Sequence, residues 1–266
     1  MGVLINSAMP RASKSAKSRP LRSMYVAMTG VEPGYVPKKW VKAWAGVFLV
    51  LPCVVLTIAF LRAFRGMASG GGMVAEESLI WFAVGGALAM VWFIFFKPLV
   101  FLYVIGHEFS HAIWVWLQGG RVHEFEARME GGHIVTDKTN TWIVLAPYIF
   151  PFYTVLWLAA YAVAVLGLGV TGDDRVLFGG IGFTWILHLA YTVWMIYKGQ
   201  PDIEYGGTLF SLAFVYLANL AVISCLLVVG SSQVTWGSFG ADLLHSAVEV
   251  SALIAGLVGR LVSRLL

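Results

Sequence analysis

The sequence predicts an all-α polytopic membrane protein: about six transmembrane helices, a short β-hairpin after the third, and a C-terminal amphipathic helix. Three observations predict it. Of 266 residues, 59% are hydrophobic and only 12% charged, where soluble domains carry roughly 45–50% apolar and ~25% charged residues. Apolar runs long enough for a ~30 Å hydrocarbon core, about 20 residues each, recur at 43–61, 79–96, 99–118, 142–168, 176–197 and 208–229. Between the third and fourth lies the polar stretch RVHEFEARMEGGHIVTDKTNT. Its central Gly131-Gly132 and short alternating flanks (Val122, Phe125; Ile134, Val135) read as a β-ribbon at the membrane surface.

Residues 1–40 are rich in Ser, Lys, Arg, Pro and Gly and are predicted to be a disordered tail. The first 42 residues carry eight basic side chains against Glu32 alone, in a chain whose formal net charge is +4. That excess before the first apolar run predicts a cytoplasmic N-terminus. No small-residue cleavage site follows a short apolar core, so the tail does not read as a signal peptide. The runs at 79–96 and 99–118 are separated only by Lys97-Pro98, which implies a very tight turn or a segment that does not fully cross. Pro147 and Pro151 predict a kink or break in 142–168. In 241–266, Asp242, His245, Glu249, Gly256, Arg260 and Ser263 recur at helical spacing as one polar stripe. This reads as an interfacial helix, with a seventh span as the alternative. Trp40, Trp44, Trp116, Trp142 and Trp236 lie near span ends, as interfacial anchors do. The two cysteines, Cys53 and Cys225, lie in apolar runs and read as buried small hydrophobes rather than a disulfide. The chain divides into the tail (1–40), a transmembrane domain (41–235, core 99–229) and the C-terminal helix (236–266).

The third run contains His107-Glu108-Phe109-Ser110-His111, an H-E-x-x-H pattern. On a helix, residues four apart share a face, so two imidazoles are placed to hold one zinc ion. Glu108 is then placed to take a proton from water. Burying one charge in a bilayer costs ~2.5–3.5 kcal/mol even on the gentlest scale. Ionisable groups at this density therefore need a compensating partner, and a metal supplies one. A catalytic zinc usually takes a third protein ligand. The break Gly199-Gln200-Pro201-Asp202-Ile203-Glu204-Tyr205-Gly206-Gly207 offers Asp202 first and Glu204 next. If the fourth run crosses once, the third and fifth run parallel, and the motif and this break share a membrane face. His133 and His123 in the ribbon are weaker ligand candidates, while His188 and Asn219 read as interhelical hydrogen-bonding groups.

These pieces together resemble the site-2 protease family of intramembrane zinc metalloproteases. GHEFSH lies inside an apolar segment; Gly119-Gly120-Arg121-Val122 leads into a Gly-Gly ribbon where the family has a membrane-associated β element; PDIEYGG looks like a variant of the family's aspartate–glycine motif. The resemblance covers about 99–229. It implies zinc held by His107, His111 and Asp202, with Glu108 as catalytic base. The family's Asn-x-x-Pro before the aspartate is absent, Pro201 being adjacent instead, and no PDZ or CBS domain is present. The implied function is hydrolysis of peptide bonds in membrane-spanning or membrane-adjacent substrates by a multi-pass protein of the cell (inner or plasma) membrane. Its partners would be a membrane-embedded peptide or protein and the lipid bilayer, not nucleic acid. The family's site faces the cytoplasm, whereas a cytoplasmic N-terminus with full crossings throughout puts this one on the opposite face. A transporter or channel would also explain ionisable groups at membrane depth beside a broken loop. A silent metal-binding scaffold would keep the fold but have no use for Glu108.

Overall fold

A computed structural model describes residues 39–69, 76–96, 100–129 and 131–265. Of the tail expected to be disordered, 1–40, residues 1–38 lie outside the described residues, as does the Lys97-Pro98 junction, while Lys39 and Trp40 already belong to the first helix. The elements are α1 (Lys39–Ser69), α2 (Glu77–Phe95), α3 (Val100–Leu117), β1 (Val122–Arg128), β2 (Gly131–Thr136), α4 (Thr141–Ile149), α5 (Phe152–Ala162, continuing as a π-turn over Val163–Gly167), α6 (Asp174–Lys198), α7 (Pro201–Tyr205), α8 (Thr208–Gly230) and α9 (Trp236–Leu265). Among the described residues six helices (α1, α2, α3, α6, α8 and α9) are long and apolar enough to cross a membrane. Their outer faces expose large apolar side chains such as Phe48, Leu88, Phe95 and Val229, which suits lipid rather than water. The chain is a multi-pass, all-α membrane protein with one small sheet.

The run 142–168 is indeed broken, into α4 and α5, bent by 65°. Asn140 starts α4 by accepting the Ile143 N–H, and Pro151 stands where α5 begins. The C-terminal helix begins at Trp236. Its first half buries Phe239, Ser246 and Val250, and Arg62 of α1 pairs with Glu249. Cys53 is buried but Cys225 is exposed on α8, and both are free. On a lipid-facing surface a small apolar side chain need not be covered by protein, so Cys225 departs from the buried position expected.

Close helix contacts fix the direction of each traverse. α1 and α8 run parallel: Gly46 lies against Phe210, Cys53 Sγ donates to the Ala213 carbonyl at 3.3 Å, and Thr57 meets Tyr216 at 2.8 Å. α2 and α6 also run parallel, with Gly85 against Gly179, Gly86 against Ile186 and Phe93 edge-on to Tyr191; small residues let these backbones approach. Residues 199–207 join the end of α6 to the start of α8. Hence α1 and α8 begin, and α2 and α6 finish, at one end of the bundle.

Both ends of α3 lie near that same end. Tyr103 stacks on Tyr191, about two turns before α6 stops, and Trp114 stacks on Trp142, itself edge-on to Phe214 about two turns into α8. α5 finishes beside the start of α6 at the other end, where the Trp157 indole donates to the Leu177 carbonyl and Tyr161 accepts from the Asp173 N–H. From α2 to α6 the chain therefore makes one traverse, not two. Of the two readings the sequence left open, this favours a third run that does not fully cross over one parallel to the fifth: α3 meets α6 at Tyr103 and does not lie alongside it. Hydropathy reports how apolar a helix is, not how it is inclined.

β1 and β2 pair antiparallel, with Phe125 opposite Ile134 and Glu126 opposite His133. Alternation puts Phe125 and Ile134 on the face toward α3: Ile134 is buried in a cluster with Val115 and Ile143, and Phe125, still exposed, lies against Phe109. The ribbon read from the sequence is thus a hairpin seated on α3.

Candidate metal centre

Helical spacing puts the His107 and His111 rings 4.9 Å apart on α3. α7 brings a carboxylate to them: Asp202 Oδ2 lies 3.4 Å from His107 Nε2 and 3.6 Å from His111 Nε2. All three residues are buried. Neither Nε2 has a hydrogen-bond partner, and both separations exceed the 2.7–3.2 Å range typical of N–H···O bonds. The other ring nitrogens are engaged. His111 Nδ1 bonds the Ile143 carbonyl at 2.7 Å and His107 Nδ1 bonds the Tyr103 hydroxyl at 3.1 Å. With a carbonyl as partner, His111 Nδ1 must carry the proton, leaving the Nε2 lone pair directed at Asp202.

This donor set fits a tetrahedral metal. Nitrogen and oxygen ligands at ~2.0–2.1 Å from zinc stand roughly 3.3 Å from one another, close to the separations found here. Tyr148 donates to Asp202 Oδ2 at 3.1 Å and lies edge-on to the His107 ring at 5.4 Å. Burial alone raises the Asp202 carboxyl, and only positive charge beside it, from the imidazoles when protonated or from a metal when they are not, holds it below the ordinary carboxylate range.

Glu108 is fully buried and neither carboxylate oxygen has a partner. It faces the hairpin: a Cβ on Gly132 would stand 2.7 Å from Glu108 Cγ and 2.9 Å from its Oε1. Only glycine lets β2 approach this closely, which gives the Gly-Gly of the ribbon a physical reason.

The remaining candidates separate. Glu204, two residues beyond Asp202 on α7, is exposed and outside the group. His123 is exposed on β1. His133 lies on the outer face of the hairpin with Glu124 and Glu126, a second group of possible ligands separate from the first. Asn219 Nδ2 donates to the Tyr148 carbonyl at 2.8 Å, an interhelical contact as the sequence suggested, and it holds the residue that touches Asp202. His188 is a buried group whose Nε2 has no hydrogen-bond partner. His188 also lines a cavity of about 310 Å³ between α3, α5 and α6 that reaches His107.

Sequence reasoning missed Tyr103 and Tyr148. Tyr103 had a signal: it lies one turn before His107, on the same helical face. Tyr148 had none, because a tyrosine in an apolar, proline-flanked run reads as packing. Comparison with family models, curated proteins and solved structures finds no match.

Proposed function

We propose that this protein is an intramembrane zinc metalloendopeptidase of the kind its motifs resemble, the site-2 proteases. The observation that carries the reading is the buried convergence of His107, His111 and Asp202, with two unpartnered Nε2 atoms, next to the unpartnered Glu108 carboxylate. His107, His111 and Asp202 would hold zinc, which when bound would supply a Lewis acid for a peptide carbonyl and lower the pKa of water toward ~7. Glu108 takes the proton of the attacking water as its oxygen bonds the carbonyl carbon, then delivers a proton to the amine nitrogen as the C–N bond breaks. Tyr103 and the Ile143 carbonyl orient the imidazoles, and Tyr148 orients Asp202.

The substrate is a membrane-spanning or membrane-adjacent peptide. Helices keep their carbonyls hydrogen-bonded, so the substrate must unwind locally, and the hairpin beside Glu108 offers a strand for it to pair with. The site lies at the end of the bundle where α1 begins, the end flanked by the basic tail. The positive-inside rule makes that end cytoplasmic.

The test is cleavage of a reporter transmembrane segment by the full chain in proteoliposomes. Cleavage should stop with a zinc chelator, and Glu108→Gln should lower it by roughly 10²–10⁴-fold while zinc stays bound. Undiminished cleavage by metal-free protein, or ion flux in place of cleavage, would contradict the reading.

A further inference from the structure

Asp202 stands on a piece of chain with little stiffness of its own. α7 has five residues and is bracketed by Gly199 at φ 78° and Gly207 at φ 87°, left-handed conformations that break continuity with α6 and α8. So short a helix does not hold itself in place. On its inner side Ile203 packs with Leu145, Tyr148 and Val215. On its outer side it is held by a residue 163 positions away, Lys42, near the start of α1. The Lys42 ammonium donates to the Tyr205 carbonyl at the end of α7. It also lies 5.2 Å from the centre of the Tyr205 ring. The aliphatic stem passes over Gly207, whose added Cβ would meet Lys42 Cβ at 3.1 Å and Cδ at 3.5 Å. One half-buried cation thus grips the carbonyl, the ring and the following glycine of the turn that presents Asp202.

We propose that Lys42 is a positioning residue for the metal centre: it fixes the outer end of α7 and so sets where Asp202 stands relative to His107 and His111. The proposal rests on the reading of these three residues as metal ligands. Its physical basis is the narrow tolerance of ligand sites, about 0.5 Å, set against a five-residue turn whose outer end is gripped by Lys42. It also gives Lys42 a role distinct from the other basic residues before the first span, whose charge serves topology.

The test compares the full-length wild type with Lys42→Met and Lys42→Arg. Zinc affinity is measured by chelator competition, and the Co²⁺-substituted proteins are compared by their d–d absorption bands, which report ligand geometry. Lys42→Met should bind zinc more weakly, by less than the roughly 10-fold that is the low end for losing a direct partner of a ligand, and its cobalt bands should shift, at unchanged helicity. Lys42→Arg, which keeps the cation and donor, should recover most of the affinity. If Lys42→Met does not fold, Lys42→Gln gives the same readout. Wild-type affinity and bands in the uncharged variant, or no recovery with arginine, would overturn the role of Lys42 alone. A wild type that binds neither metal would overturn the metal reading and this inference with it.

Discussion

Among the described residues two groups of histidine and carboxylate have ligand atoms within 4.8 Å of one another: His107, His111 and Asp202 in the bundle, and Glu124, Glu126 and His133 on the hairpin. Distance alone does not distinguish them. Their surroundings do. In the bundle both imidazoles are pinned through Nδ1, every member is buried, and the only hydrogen bond to Asp202 Oδ2 among the described residues comes from neutral Tyr148. A buried carboxylate facing two imidazoles calls for positive charge, which a bound cation would supply. On the hairpin, Glu124 is 47% and Glu126 31% exposed, and Arg128 pairs with Glu126. Water and an arginine already meet that charge. A cluster becomes a metal site when the fold leaves it a demand that nothing else satisfies.

The largest effects should follow from breaking the buried group. Asp202→Ala should weaken zinc binding by more than about 100-fold, beyond the usual cost of losing an outer partner, whereas Tyr148→Phe, which removes one such partner, should cost roughly 10-fold. Chelator competition measures both. Equal losses would mean that Tyr148 does more than orient the carboxylate.

A third carboxylate sharpens the contrast. Glu76, just before α2, is buried like Asp202, but it accepts from the Ser231 hydroxyl at 3.1 Å and from the Ser232 N–H and hydroxyl at 2.7 Å each. Burial raises this carboxyl, yet those donors outweigh it and hold it below its ordinary value. A carboxyl depressed in the folded state stabilises above its unfolded pKa of ~4.3, and that stability is lost as pH falls through the folded value. Glu76→Gln should therefore cost about 1–3 kcal/mol at neutral pH. The variant should also lose less thermal stability than the wild type between pH 6 and 3 in the same detergent. Identical pH profiles would show that the serines do not hold a charge. Zinc content should not change, because Glu76 satisfies its charge with protein donors alone.

What the sequence could show of this site follows from how local each feature is. HEFSH is legible because helical geometry alone puts His107 and His111 on one face. Asp202 is legible only as a carboxylate in a break between spans; its distance to the histidines depends on α3 lying across the bundle, which apolar composition does not encode. The inward face of the hairpin could be read from the alternation of Phe125 and Ile134, but not the approach of Gly132 to Glu108. The Glu76–Ser232 and Lys42–Tyr205 contacts join residues more than 150 positions apart, and no local pattern marks them. The boundaries of α2, α3, α6 and α8 fall within two residues of the runs read from composition, whereas α1 runs on to Ser69, eight residues past its expected end.

The smallest expected effect provides the most direct control on the central claim. Zinc per chain should be measured by elemental mass spectrometry on purified wild type, Glu108→Gln, His107→Ala and the hairpin double variant Glu126→Gln, His133→Asn. The bundle site predicts one zinc per chain in the wild type, in Glu108→Gln and in the hairpin variant, and none in His107→Ala. Zinc retained by His107→Ala and lost from the hairpin variant, or absent from the wild type, would contradict it.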